Sequence, residues 1–345
     1  MSHLSLPVGK LPPDLLARLT ARAPVADPRV RVGPGPGLDC AVVDLGDRLL
    51  VFKSDPITFA TEEIGSYLVQ VNANDLATTG ATPRWLLLTM LLPEGATTPA
   101  LAERWADQVY AACRAIGVDV IGGHTEITHG LARPILAGTL IGEAEPGRLV
   151  TPRGARPGDR LLLTKGVPIE ATALLAREFP GRLADLLSPA ELAEAQAYLT
   201  RPGISVLRDA ALALQAGQVT AMHDPTEGGL AGALWELAEA CGHAMWIDPA
   251  RVPVPPLGAR VCRAFGIDPL AAIASGALLM TTPPADAARI CAALVSAGIV
   301  CAEIGAVEQG AAAVWLGSPA FGRLLPRPAR DEVSRVFASV SAGAA

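Results

Sequence analysis

The stretch that decides the fold is VTAMHDPTEGGLAGALWELAEACG, residues 219–242. It opens with a short apolar run typical of a strand, continues through a polar loop with two adjacent glycines, and ends with apolar residues at helical spacing. A strand, a loop and a helix are therefore predicted in direct succession. The free N–H groups at the start of such a helix make the loop at Asp224 a candidate anion site. A capping box with Thr226 or Asp224 as the cap explains the same residues equally well.

The alternation of strand and helix continues on both sides of this stretch. Hydrophobic periodicity and glycine or proline stops delimit each segment. In the second half, strands are predicted at 161–166, 244–248, 277–283 and 301–309, and helices at 168–179, 188–200, 205–217 and 285–299. In the first half, strands are predicted at 40–45, 48–55, 83–93, 118–123 and 133–143, and helices at 62–81 and 99–117. The pattern predicts sheets layered with helices.

Residues 143–160 separate the two halves, because they are crowded with proline, glycine and arginine and lack an apolar period. We place a domain boundary there, which gives domains 1–148 and 149–345. The chain has 345 residues, half of them hydrophobic, so each domain has enough apolar residues for its own core. The fold class is thus a two-domain mixture of α+β and α/β.

Composition narrows the function classes. A formal net charge of −6 without a basic run argues against nucleic acid as the main partner. The apolar runs are too short to span a membrane and no leader is visible, so a cytoplasmic protein with small-molecule ligands is expected. The six cysteines show no C-x-x-C pair and are expected to be reduced. Arginine dominates the basic residues, so each of the three lysines, Lys10, Lys53 and Lys165, stands either where an ammonium group is needed or there by chance.

Three aspartates of the first half lie at the ends of predicted elements: Asp39, Asp55 and Asp75. Hard cations such as Mg²⁺ bind carboxylate oxygens together with substrate phosphates, and separated aspartates of this kind suit a metal–nucleotide site. Capping of helices and turns is the alternative role for each of them. The preceding glycines, 33–37, match no Walker or dinucleotide fingerprint.

The decapeptide IGGHTEITHG, residues 121–130, offers a metal site or a phosphate loop. Its histidines, His124 and His129, are five positions apart, whereas a zincin helix needs them four apart. In an extended segment His124 and Glu126 share one face and His129 points to the other. Zinc is therefore disfavoured, and the two glycines favour a loop that lets the backbone approach a phosphate or a metal.

Six motifs in order carry a family resemblance: GLDCAVV (37–43), KSD (53–55), NANDLATTGATP (72–83), GGHTE (122–126), MHDPTEGGLAGALWELA (222–238) and ASGALLM (274–280). Together they resemble the ATP-binding superfamily of aminoimidazole ribonucleotide synthetase, thiamine-monophosphate kinase, selenophosphate synthetase and the hydrogenase-maturation protein HypE. The resemblance is closest to the HypE-like branch. It implies a homodimer with a shared barrel, an N-terminal half-barrel, a C-terminal α/β sandwich, and ATP with Mg²⁺ in the cleft.

The resemblance also implies roles for individual residues, and it assigns the decapeptide to the phosphate and metal site. The implied catalytic residues are Asp55, Asp75, Asp224 and Glu227. The implied metal ligands are Asp39, Asp55, Asp75 and Glu126. The implied nucleotide-binding residues are Gly37, Asp39, Lys53, Asn74, Gly122, Gly123, Thr125, Thr226, Gly228 and Gly229.

The chain departs from the HypE pattern at three points. His124 stands where relatives carry an acid, and imidazole is a poor Mg²⁺ ligand. HypE ends in a cysteine that carries the group being dehydrated, whereas this sequence ends SVSAGAA and its last cysteine is Cys301. Ser275 stands where HypE is expected to have a glutamate, which removes a base.

Three hypotheses follow. The first is an ATP-dependent enzyme of HypE-like descent that phosphorylates or dehydrates a free small molecule or a group carried by another protein. The second is a kinase of the thiamine-monophosphate type, although DPTEGG differs from the D-x-S-D-G loop of that branch. The third is a non-catalytic nucleotide-binding scaffold in protein maturation. Retention of Asp39, Asp55 and Asp75 favours catalysis.

Overall fold

The protein is described here from a computed structural model, which covers residues 6, 9, 11–35, 37–58, 62–318 and 321–343 and so leaves Lys10 outside. Over these residues, no helix combines the length and the apolar character needed to cross a membrane. The elements of the first half are α1 (Pro13–Thr20), β1 (Val30–Val32), β2 (Ala41–Asp44), β3 (Leu49–Ile57), α2 (Ile64–Thr78), β4 (Thr82–Pro93), α3 (Pro99–Ile116), β5 (Asp119–Thr128) and β6 (Ile135–Ala144).

The second half also combines strands with helices. Its elements are β7 (Arg160–Thr164), α4 (Ile169–Glu178), α5 (Pro180–Leu183), α6 (Pro189–Gln196), α7 (Leu207–Ala216), β8 (Ala221–His223), α8 (Gly229–Cys241), β9 (Ala244–Ile247), α9 (Pro256–Phe265), β10 (Leu279–Thr282), α10 (Pro284–Ser296), β11 (Cys301–Glu308), β12 (Ala313–Leu316), β13 (Arg323–Leu324) and α11 (Glu332–Gly343). Mixed sheets with covering helices confirm the predicted fold class.

The first sheet has six strands in the order β1-β2-β3-β6-β4-β5. Its central strand β6 alternates between buried and half-buried residues, which is the period-two pattern of a sheet covered on one face. Helices α2 and α3 cover the buried face, where Leu68 and Leu76 pack against Leu86 and Leu140. The residues of β6 that point to the other face are only half-buried, so that face is the more open of the two.

The second sheet has seven strands in the order β13-β12-β9-β11-β7-β10-β8. All neighbouring strands are antiparallel except β9 and β12. Its core includes Leu161 and Leu163 of β7 and Leu230 and Leu234 of α8, all fully buried. Helix α2 of the first half contacts both α7 and β8, so it lies at the junction of the two halves.

One predicted local structure is wrong. The decapeptide was interpreted as a loop after residue 123, but β5 continues as a regular strand to Thr128 and pairs in parallel with β4. A Cβ on Gly123 would lie 1.7 Å from the Leu88 carbonyl oxygen, and its φ is +147°. This glycine is required because the two strands approach closely, whereas the prediction attributed the glycine pair to a loop.

Candidate functional site

The site begins with a lysine held between two carboxylates of the first half. Lys53 and Asp55 are two positions apart on β3 and therefore share a face, and Asp75 reaches the same point from α2. The Lys53 Nζ lies 3.1 Å from Asp55 Oδ2 and 3.2 Å from Asp75 Oδ2. Burial lowers the pKa of Lys53, but the carboxylates of Asp75, Asp39 and Asp55 outweigh it and raise the pKa well above its ordinary value.

The second half contributes His223 at the end of β8. Its Nδ1 lies 3.2 Å from Asp39 Oδ2 and its Nε2 lies 2.8 Å from Glu236 Oε2 of α8. Burial lowers the pKa of this imidazole, yet Asp39 and Glu236 together raise it well above its ordinary value. The imidazole therefore joins the two halves, with one ring nitrogen facing a carboxylate of each.

Asp224 follows His223 directly and completes the cluster. One ligand atom each from Asp39, His223 and Asp224 lie within 4.8 Å of one another. Both carboxylate oxygens of Asp224 are buried and accept no hydrogen bond from any other described residue. Burial and the charge of Asp39 raise the pKa of Asp224 to about 7. A buried carboxylate without partners is costly, so the site is built to receive a cation or a proton donor.

We call Asp39, Lys53, Asp55, Asp75, His223 and Asp224 the acidic cluster. Four of its six members are carboxylates, and Lys53 and His223 are the two basic ones. Burial raises the pKa of Asp75 well above its ordinary value, and the neighbouring charge of Asp224 adds to this effect. The surplus of carboxylate oxygens fits Mg²⁺. The structure thus brings together the aspartates predicted from both halves.

Two asparagines of α2 hold the cluster in place. Asn72 Oδ1 accepts the backbone N–H of Asp55 at 3.0 Å, and its amide donates to the Leu68 carbonyl. Asn74 donates to the Ile204 carbonyl at 2.7 Å and accepts the Val206 N–H at 2.8 Å. Asn74 was predicted to bind nucleotide, and in this structure its amide ties α2 to the second half.

The loop from Asp224 to Gly229 is held by the chain itself. The backbone N–H of Gly228 donates to Asp331 Oδ2 at 2.8 Å, and a Cβ on Gly229 would lie 2.5 Å from the Ala272 carbonyl oxygen. The N-cap of α8 is Gly228 and not Thr226 or Asp224, so the capping-box alternative is wrong. Thr226 is half-buried and Glu227 is exposed.

The other predicted glycine near the cluster, Gly37, serves packing in this structure. Its φ is +68°, and a Cβ there would lie 2.9 Å from the Glu236 carbonyl oxygen. The backbone just before Asp39 therefore lies directly on α8. This close approach brings Asp39 to the second half, where it meets His223.

The decapeptide lies apart from these contacts, on the exposed edge strand β5. Glu126 is exposed; it accepts a hydrogen bond from Thr128 and lies 3.1 Å from His124 Nε2, and both neighbours lower its pKa. His129 pairs instead with Glu94, at 2.6 Å. The two histidines therefore have different partners. Among the described residues, Asp39, His223 and Asp224 form the only His, Cys, Asp and Glu group that meets the geometry of a metal site.

The remaining predicted residues of the decapeptide lie on the same strand. Gly122 and Thr125 pair with Leu87 and Met90 of β4, and a Cβ on Gly122 would be in ordinary contact with Leu87. Within one chain, these residues have the contacts expected at the edge of a sheet.

A buried carboxyl that the sequence did not reveal lies beside the loop. Glu170, near the start of α4, accepts hydrogen bonds from the side chain and backbone of Ser275. Its Oε2 is buried without a hydrogen-bond partner, as is the hydroxyl of Tyr67 from α2. Burial, together with the charges of Glu227 and Asp331, raises the pKa of Glu170 to about 7. An acid is thus present beside Ser275, the position where a glutamate was expected, but it comes from another helix.

Sequence reasoning also missed His223, although it stands next to Asp224 in the quoted loop. The available signal was its position between a strand end and an aspartate.

The six cysteines are free: Cys40, Cys113 and Cys262 are buried, and Cys241, Cys291 and Cys301 are partly buried.

Comparison with known proteins agrees with this architecture. Residues 37–144 match the model of the AIR synthase related protein N-terminal domain, and residues 156–315 match the C-terminal domain model. The carbamoyl dehydratase HypE of Escherichia coli strain K12 is 30% identical over 87% of this chain and 88% of its own length. That of Cupriavidus necator is 31% identical over 69% of this chain and 65% of its length, so the chain spans just under two thirds of that relative. A crystal structure of HypE in complex with ATP superimposes with a TM-score of 0.69 at 26% identity, covering 86% of this chain and 89% of that one.

Proposed function

Because the chain belongs to the AIR synthase related family of enzymes, we propose that it is an ATP- and Mg²⁺-dependent enzyme of HypE-like descent. The observation that carries this proposal is the acidic cluster at the junction of the two sheets, with both Asp224 oxygens buried and unpaired. The chemistry is transfer of a phosphoryl group to a substrate oxygen, either as the final product or as the activation step of a dehydration.

Asp39, Asp55, Asp75 and Asp224 would hold the metal. When bound, Mg²⁺ would neutralise phosphate charge as it develops during the transfer. Lys53 places a positive charge between two of these carboxylates, where it can attract a phosphate oxygen. His223 holds Asp39 in position through their 3.2 Å contact. The nucleotide itself is inferred from the HypE relative whose structure contains ATP.

The phosphoryl acceptor would lie toward the loop of Thr226 and Glu227, near Glu170 and Tyr67. These two buried polar groups have unpaired atoms, Oε2 and the hydroxyl, that a substrate can satisfy. With a pKa of about 7, Glu170 exchanges a proton near neutral pH. We propose it as the acid or base that acts on the acceptor oxygen.

We also propose a homodimer formed by the open face and edge of the first sheet. Ile121 and Ile127 of β5 are more than half exposed, and Leu87 of β4 is 40% exposed. Exposed apolar residues next to an unpaired strand edge favour pairing with a second copy. Such pairing would bring Glu126, Thr125 and the glycines of β5 into the interface. Light scattering at micromolar concentration should give twice the mass of the chain, and a monomer would refute the proposal.

The enzymatic proposal is tested by calorimetry with ATP and Mg²⁺, followed by a screen of ADP release with carbamoyl, phosphate and amide substrates. We expect binding that requires Mg²⁺ and is lost in Asp75→Asn. The matched control is Asp107→Asn, an exposed carboxylate on α3, which should bind as the wild type does. Absence of binding and of thermal stabilisation at millimolar nucleotide would refute the proposal. Binding without turnover on any substrate would favour the scaffold hypothesis.

A further inference from the structure

A cavity of about 530 Å³ opens in the second half, away from the acidic cluster. It lies between α6, the beginning of α7 and the turn that joins α10 to β11. Its volume falls in the range of about 300–1,000 Å³ that is usual for small-molecule sites. No residue of the acidic cluster lines it. A ligand in this cavity would therefore contact a set of side chains that the proposed reaction does not use.

Two arginines on the wall of the cavity have no partner. Arg201 and Arg208 are exposed, and within the described part of the chain neither guanidinium has a hydrogen bond or an ion pair to a protein group. Each guanidinium presents a planar set of donors that matches a carboxylate or a phosphate. Glu194 lines the same cavity, so the two unpaired cations face one carboxylate. This surplus of positive charge favours binding of an anion.

The third cation of the wall is already neutralised. Lys165 Nζ lies 2.9 Å from Asp209 Oδ2 and donates to the carbonyls of Ser205 at 2.6 Å and Gly276 at 2.9 Å. These three acceptors use all of its donors, and the pair adds no net charge. Lys165 thus fixes the wall and leaves ligand recognition to the arginines.

The backbone around Lys165 is held in an uncommon conformation. Its φ is +55°, and it is the one non-glycine residue with a positive φ in the described part of the chain. Its N–H donates to the Val300 carbonyl at 2.8 Å, which ties Lys165 to the turn of Gly298 and Ile299 that also lines the cavity. A strained backbone conformation persists where the surrounding contacts hold it in place, and such conformations are frequent at ligand sites.

The beginning of helix α7 forms part of the same wall. Ser205, Arg208 and Asp209 line the cavity there, and Ser205 Oγ accepts the Leu207 N–H at 3.5 Å. Asp209, an acid in the first turn, offsets the partial positive charge of the helix N-terminus. The cavity and the unpaired guanidinium groups therefore carry the preference for an anion.

We propose that this cavity binds a small organic anion, a carboxylate or a phosphate monoester on a compact apolar body, between Arg201 and Arg208. The apolar body would lie against Pro202, Pro255 and Ile299, which line the same space. This site goes beyond the proposed ATP-dependent reaction and does not depend on it.

The test uses the full-length protein in buffer with a chelator, so that the acidic cluster holds no metal to attract an anion. The probes are phenyl phosphate, benzoate and the neutral benzyl alcohol, measured by calorimetry. We expect at least one of the two anions to bind, benzyl alcohol not to bind, and affinity to fall as salt is added. The anion that binds more tightly identifies the headgroup as phosphate or carboxylate.

The decisive variants are Arg201→Gln and Arg208→Gln, singly and combined. Each should weaken anion binding about tenfold or more, because each removes a charge-assisted hydrogen bond to the anion. Arg104→Gln, which removes an exposed arginine on α3, is the matched control and should bind as the wild type does. Equal affinity in the double variant, or no binding of either anion at millimolar concentration, would overturn the proposal. Difference density for the bound anion between the two arginines in a soaked crystal would confirm it.

Discussion

Replacement of the buried acid Glu170 by glutamine should change how stability depends on pH. Burial is the main cause that raises its pKa from 4.5 to about 7, and the nearby charges of Glu227 and Asp331 add to it. The folded protein therefore binds a proton at this site over a pH range where the unfolded chain has already released it. The free energy of unfolding should fall as pH rises from about 4.5 to about 7, and then level off.

The size of the effect follows from the two pKa values. A rise from 4.5 to about 7 corresponds to a loss of about 3 kcal/mol of stability between the two ends of this range. Glutamine has nearly the same shape but does not titrate, so Glu170→Gln should lack this loss. The difference in unfolding free energy between variant and wild type should therefore grow by about 3 kcal/mol in favour of the variant as pH rises from 4.5 to 7.5.

Urea unfolding at closely spaced pH values measures this difference, and groups that titrate in both proteins cancel. A difference in unfolding free energy that stays constant with pH reports only the exchange of carboxyl for amide. The slope of this difference against pH is therefore the quantity that tests the raised pKa. Glu178→Gln, an exposed carboxyl at the end of the same helix, should follow the wild type within about 0.5 kcal/mol. Parallel curves for Glu170→Gln and wild type would refute the assignment of a raised pKa to this buried carboxyl.

Three further predictions concern the acidic cluster and β5. Asp224→Asn should raise the stability of the metal-free protein at pH 8, because it removes a buried carboxylate without hydrogen-bond partners, and it should weaken Mg²⁺-dependent ATP binding by about tenfold or more. Thermal unfolding measures the first effect and calorimetry the second. A loss of stability together with unchanged ATP binding would contradict the proposed site. Gly123→Ala should lower the free energy of unfolding by about 3 kcal/mol or more, because the new Cβ would lie 1.7 Å from the Leu88 carbonyl oxygen. Gly130→Ala, also at positive φ but in open space, should lower it by about 1 kcal/mol. Equal losses in denaturant unfolding would count against the close strand pairing. His124→Asp should keep any ATP turnover, and elemental analysis of protein purified without chelator should find no stoichiometric zinc; zinc that is present in the wild type and lost in His124→Ala would reverse this interpretation.

The amino-acid sequence alone determined the order of elements and part of the site. Helices α2, α3, α4 and α8 and strands β3 and β4 follow from periodicity, because apolar spacing and glycine or proline stops act between residues a few positions apart. The same short-range geometry placed Lys53 and Asp55 on one face of β3. Asp39, Asp75 and Asp224 were identified from their position at element ends and from the family motifs.

Tertiary structure alone decided which of these residues meet. Asn74 contacts Ile204 and Val206 because α2 lies at the junction of the two halves, and His223 contacts Asp39 because the backbone at Gly37 lies on α8. Tertiary packing likewise decided that the decapeptide is an exposed edge strand, that Glu170 is buried beside Ser275, and that Arg201 and Arg208 face one cavity. Such contacts join residues far apart in the chain, and a residue's charge state depends on the burial they create. Local spacing carries no information about either, since both are set by how helices and sheets pack on one another.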